Sequence, residues 1–153
     1  MVTREEIEQK IFKNYDDRES CRVSKEEIIR FEENNKLLTQ MVGDKKIEFE
    51  ETCKTGYGSY EKLAEACELS VSTLKRTIAG GIKVTRTFLY KFAVGTKMSL
   101  EEANEYFALC GGILRNDNLE DYICIRALED GDDIELYVKQ YKEYTKFHGK
   151  PGK

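Results

Sequence analysis

A single proline, no tryptophan, one histidine and no C-x-x-C pair characterise this 153-residue sequence, and each scarcity closes off a class of protein. The lone histidine, His148, stands in the terminal stretch KFHGKPGK, so neither a Ser-His-Asp triad nor a histidine-based metal site can be assembled. The cysteines Cys21, Cys53, Cys67, Cys110 and Cys124 are odd in number and widely spaced, a pattern that indicates neither a disulfide framework nor a zinc knuckle. They read instead as small buried hydrophobes in a reducing compartment. No apolar run approaches the roughly 18 residues of a bilayer span, so no membrane partner is expected. The first residues, MVTREEIEQK, are charged and carry no apolar core; the expectation is a cytoplasmic protein. The Asp/Gly spacing of Asp130-Gly-Asp-Asp-Ile-Glu135 is not that of a calcium loop, and Gly56-Tyr-Gly58 is too short for a nucleotide fingerprint. No metal or cofactor is expected, and no carboxylate is paired with a nucleophile or phosphate loop, so the chain does not read as an enzyme.

What is present is a helix-forming composition: 40% hydrophobic and 35% charged residues, with a mean hydropathy of -0.61. A chain of this length buries roughly 70% of its unfolded surface and folds without staples. The net charge is -4, but it is unevenly spread: -3 over Met1–Thr55, +4 over Gly56–Lys97 and -5 over Met98–Lys153. An acidic whole with a basic middle third can still dock on phosphate in one orientation.

Helix starts are frequent. Thr3-Arg-Glu-Glu6, Ser24-Lys-Glu-Glu27 and Ser99-Leu-Glu-Glu102 have the capping-box pattern, in which a hydroxyl accepts an orphan amide and the glutamate returns the bond. Gly43, Gly80-Gly81, Gly95, Gly111-Gly112 and Gly131 each follow helical periodicity and are expected to end helices through positive φ. Strand-like alternation is almost missing. The pattern predicts helices near 3–14, 24–42, 45–54, 59–67, 71–79, 85–94, 99–110, 117–129 and 132–146, an all-α fold. The expected organisation is an N-terminal helical extension over 1–44, a domain over 45–112, a C-terminal helical extension over 113–147 and a disordered tail over 148–153.

Within the second predicted helix, Ile28, Phe31, Asn35, Leu38 and Val42 repeat at 3-4-3-4 spacing, as in a heptad seam with one polar position. Either the stripe packs on its own chain or it forms a homodimer seam. Ile134, Tyr137, Val138, Tyr141 and Tyr144 make an apolar face on the last helix, which suits a core or an interface.

The informative segment is Ser59-Tyr-Glu-Lys-Leu-Ala-Glu-Ala-Cys-Glu-Leu-Ser-Val-Ser-Thr-Leu-Lys-Arg-Thr-Ile-Ala-Gly80. Its spacing predicts two short helices meeting at a sharp turn. Ala64 is small where a second helix crosses, Leu69 fills the turn, and Leu74 and Ile78 form the buried side of the second helix. Ser70, Val71, Ser72, Lys75, Arg76 and Ala79 face outward. Ala64, Leu69, Leu74 and Ile78 stand where the Cro/C1-type (XRE-like) repressor family has its recurring apolar positions, and the segment resembles the helix-turn-helix of that family. The likeness continues through the basic loop Ala79-Gly-Gly-Ile-Lys-Val84, the helix from Thr85 and the capped helix after Ser99, covering about 45–112. Glu68 stands where the family usually has glycine, which predicts a strained turn.

The resemblance implies a lambda-repressor-like helical domain with added N- and C-terminal helices, bacterial in origin, that represses transcription as a dimer on double-stranded DNA. Its second helix, 71–79, would enter the major groove, with Ser72, Lys75 and Arg76 reaching base edges. Ser59, Lys83, Thr85 and Arg86 would hold phosphates. The alternative is a protein-interaction module on the same fold that does not bind DNA and engages a protein partner through its acidic C-terminal helices. Burial of the helix 71–79 under other helices would favour the alternative.

Overall fold

The computed structural model describes residue 4 and residues 24–53 and 59–149, and the chain divides into two units, Met1–Asn34 and Asn35–Lys153. In the first unit the expected capping box is closed: Glu27 N donates to Ser24 Oγ at 3.1 Å and Ser24 N donates to Glu27 Oε1 at 3.0 Å. Those bonds hold the Glu27 carboxyl below its usual pKa. Arg4 pairs with Glu32 at 2.5 Å; otherwise the helix expected over 3–14 lies outside the described residues.

Seven helices are described: α1 Lys25–Cys53, α2 Ser59–Cys67, α3 Val71–Ile78, α4 Arg86–Gly95, α5 Leu100–Phe107, α6 Leu119–Asp130 and α7 Ile134–Gly149. The fold is all-α, with no strand among the described residues. None of these helices is long and apolar enough to cross a membrane.

One expected glycine stop, Gly43, is corrected, and a second, Gly95, ends its helix without the expected positive φ. Gly43 lies inside α1, which runs unbroken where two helices were expected. A Cβ there would lie 3.6 Å from Ile78 Cγ2, so the residue marks where α1 approaches α3, not where the chain turns. Gly95 is the last residue of α4. A Cβ on it would come within 2.5 Å of the Ala66 carbonyl oxygen and of Cys67 Sγ, a clash with backbone that cannot move aside. Glycine is required there because α4 and α2 touch, whereas Gly131, at φ 67°, does end α6 through the left-handed region.

In the second unit α4 is the axis of the core. Six of its residues, Phe88, Leu89, Tyr90, Phe92, Ala93 and Val94, are buried, and it packs on α2, α5, α6 and α7. A helix apolar nearly all round has to be enclosed on all sides. Leu38 and Val42 of α1, Leu63 and Cys67 of α2, Leu74 of α3, Phe107 of α5, Cys124 of α6 and Tyr137 of α7 complete that core. The boundary expected at 112–113 therefore falls within one packed body, and α6 and α7 share the core with the preceding helices.

Of the two expected readings of the heptad stripe, its second half follows the first and packs on its own chain. Leu38 and Val42 are 1% and 0% exposed inside their own chain's core, and Asn35 Oδ1 accepts from Val84 N at 2.9 Å. Three of the five seam positions are spent internally. Ile28 is half-buried and Phe31 exposed, and two residues do not make a seam.

Local caps explain the remaining starts. Thr85, Ser99 and Asn118 accept amides from Phe88, Glu102 and Asp121, and Asp133 Oδ1 accepts from Leu136 N at 2.9 Å. The Ser99 box is only half-formed, because Glu102 turns to Lys45 Nζ at 2.8 Å. Lys45 is buried with Glu102 and Glu48 as its partners; burial opposes its charge, but the two bonds outweigh it and raise its pKa.

The packing sets two tests. Gly95→Ala is expected to lower stability by about 3 kcal/mol, read as a fall in urea midpoint at unchanged m-value. The Cys67 thiol is pushed up by burial, and the Cys124 thiol by burial and then by Asp121, each from 9.0 to about 12. A group whose folded pKa is raised stabilises fully below its unfolded value and loses that contribution as pH climbs. The urea midpoint is therefore expected to hold to about pH 9 and fall between pH 9 and 12, with both thiols inert to a disulfide reagent at pH 8 until the protein unfolds.

Candidate nucleic-acid interface

The α2–α3 corner is built by a turn that the sequence resists. Glu68 sits at φ 53°, in the region where an ordinary side chain crowds its backbone. Leu69 N donates to Ala64 O at 2.9 Å and Glu68 N to Glu65 O at 3.3 Å, the bond pattern of a helix ending through a left-handed residue. Lys91 Nζ donates to the Glu68 carbonyl at 3.2 Å from α4. Ser70 then caps α3, accepting from Thr73 N at 3.0 Å and donating to Thr73 Oγ1 at 2.7 Å.

On α3, Leu74 and Thr77 are buried and Ile78 packs against the core. Ser72, Lys75 and Arg76 are exposed. Their i, i+3, i+4 spacing puts them on one face, so the three expected base readers do come together. The following loop turns at Gly80, φ 81°, and is tied down at its far end by the Asn35–Val84 bond. Lys83 is exposed within that loop.

The expected phosphate set fares differently. Arg86 is withdrawn into the fold, a correction to its expected role. Its Nη1 donates to the Cys110 and Gly112 carbonyls at 2.6 and 2.7 Å, and its Nη2 to both Asp121 carboxylate oxygens at 2.9 Å. The guanidinium also lies 5.0 Å from the Phe107 ring centroid. Asp121 is 3% exposed and accepts further bonds from Tyr90 Oη at 2.5 Å and Arg115 N at 3.1 Å. Burial opposes the charge on Arg86, but its bonds to Asp121 and Tyr90 raise its pKa overall. Burial, reinforced by the neighbouring Asp121 carboxylate, moves the Tyr90 phenol above its usual range. Both terminal nitrogens of Arg86 are thus committed to the protein's own acceptors.

Thr85 is exposed, but its oxygen accepts from Phe88 N at 3.1 Å as the cap of α4. Ser59 opens α2, and its side chain lies outside the described residues, as does that of His148. The sequence reading missed Tyr60 and Lys46. Lys46 Nζ lies 4.4 Å and Lys75 Nζ 5.4 Å from the Tyr60 ring centroid, close enough for both ammonium groups to interact with the ring. Lys46 is also paired with Glu50. An aromatic one residue inside a helix start gives no signal by itself; only the approach of α1 brings Lys46 to it. Among the described residues, no three His, Cys, Asp or Glu side chains converge as a metal-binding group.

The chain matches no family model, no curated protein and no solved structure.

Three stability outcomes follow from this geometry. Glu68→Gly is expected to raise stability by about 0.5–1 kcal/mol by relieving the left-handed turn, read as a higher urea midpoint. Asp121→Ala is expected to cost about 3–5 kcal/mol because it strands a partly buried guanidinium. The Arg86→Met/Asp121→Leu double variant is expected to lose less than Asp121→Ala, since no charge is then left without its partner; the urea midpoints of the two variants measure the difference.

Proposed function

We propose that this chain is a sequence-specific DNA-binding regulator of transcription, with α2 and α3 acting as a helix-turn-helix and α3 entering the major groove. One observation carries the reading: α3 has its apolar side in the core and holds Ser72, Lys75 and Arg76 together on its exposed side. A short capped helix so presented suits groove insertion, with Arg76 able to grip guanine by two hydrogen bonds and Lys75 and Ser72 reaching neighbouring edges. The left-handed turn at Glu68, at the position expected from the resemblance, supports the same reading. Lys83 contacts phosphate in this scheme, while Arg86 and Thr85 serve the fold and not the DNA. The proposed partner is double-stranded DNA, and two copies would engage two half-sites.

The withdrawal of Arg86, together with the -5 charge of Met98–Lys153, favours a second reading, a protein-interaction module on the same fold. Fluorescence anisotropy with pooled duplex fragments across a salt series separates the two. The DNA reading expects binding that weakens with salt at about -0.9 in log-log slope per phosphate contact. It expects Lys75→Ala/Arg76→Ala to lose sequence preference and Lys83→Ala to reduce the slope by about one. Absence of binding at low salt, with circular dichroism showing a folded protein, rejects it in favour of the interaction module.

A further inference from the structure

On α4 and α7 a groove of about 200 Å³ opens, lined by Thr87, Tyr90, Lys91, Tyr137, Val138, Tyr141 and Lys142. Three of these seven residues are tyrosines, two are lysines and none is acidic. The rings of Tyr137 and Tyr141 lie 5.9 Å apart and tilted by 42°; Tyr137 is buried beneath the groove, and half-buried Tyr141 supplies its accessible ring. Two of the three phenols have committed their protons elsewhere: Tyr90 Oη donates to Asp121 and Tyr141 Oη to Glu120, the latter at 2.7 Å. What those two side chains offer the groove is therefore ring surface, not a donor. Burial, assisted by the Glu120 bond, pushes the Tyr141 phenol up to about 12, so it stays neutral at ordinary pH.

The positive charge belongs to the two lysines. Lys142 is exposed. Lys91 is half-buried and bonded only to a backbone carbonyl, that of Glu68, at 3.2 Å. A carbonyl is a weaker partner for an ammonium than a carboxylate, so an incoming anion can compete for it. Aromatic walls with cations and no acidic side chain define the complement of one ligand chemistry: a flat ring carrying one negative charge.

We infer that this groove is a binding site for a small aromatic carboxylate, its ring lying against Tyr141 over a floor of buried Tyr90, Tyr137 and Val138, and its carboxylate held by Lys91 and Lys142. The site is independent of the exposed face of α3, although Lys91 joins it to the turn that precedes α3.

The probe is 2-naphthoate, titrated into the full chain and followed by its own fluorescence and by calorimetry, with the neutral 2-naphthamide as its uncharged counterpart. Saturable one-to-one binding of the acid, at least tenfold tighter than that of the amide, is expected. Lys91→Met/Lys142→Met is expected to remove the acid's advantage while leaving the amide unchanged. Thr87→Phe, at an exposed position on the groove's edge, is expected to block both ligands without loss of thermal stability. Equal affinity for acid and amide, an acid preference that survives loss of both lysines, or no saturable binding at millimolar acid overturns the inference. No DNA enters the measurement, so its failure is distinct from failure of the DNA-binding proposal.

Discussion

The buried carboxylate of Asp121 is the constraint around which the second unit is organised. An ionised group taken out of water is tolerated only when its lone pairs are met. Here they are met from three directions: Arg86 and Tyr90 from α4, and the Arg115 amide from the approach to α6. The same guanidinium satisfies the Cys110 and Gly112 carbonyls, where the chain leaves α5. One ion pair thus fixes α4, the turn after α5 and the start of α6 against each other. Hydrophobic burial supplies the driving force for assembling these helices. The directional bonds select one arrangement of them.

That arrangement divides the work among the cations. Arg86 is spent on architecture, and Lys45 on joining α1 to α5 through Glu102. Lys97 donates to the Gly131 and Asp132 carbonyls beyond the end of α6. Of the seven cations in the basic middle third, Arg86 and Lys97 are thereby committed to partners within the fold. Lys62, Lys75, Arg76 and Lys83 remain on the exposed surface, a small set that suits a local contact and not a broad electrostatic coat.

Much of the fold was legible because helix signals are local. Ser70, Thr85, Ser99 and Asn118 cap helices with their own side chains, and the apolar spacing of Leu74 with Ile78 placed one side of α3 inward. The exposed grouping of Ser72, Lys75 and Arg76 followed from the same periodicity. Glu68 was legible as the turn residue only through the resemblance, which implies a glycine at that position, and its φ is 53°. Gly43 was misread as a stop, and Gly95, which does end α4, was misread as doing so through positive φ. Their local context is that of a stop, but what each glycine answers is another helix passing close by, and no pattern along the chain reports it.

The sequence by itself determined an all-helical chain, the start of nearly every described helix and the side of α3 that stays outside, since each depends on residues within a turn or two of one another. Tertiary structure alone decided which polar and charged groups were left over. Whether Arg86 faces solvent or Asp121, whether Asn35 sits in a seam or binds Val84 N, and whether Tyr137 and Tyr141 line a groove all depend on partners 21 to 49 residues away along the chain or on another helix. A side chain's charge is written in the sequence. Its availability depends on which distant acceptor the fold brings within reach, and that is settled only when the helices pack.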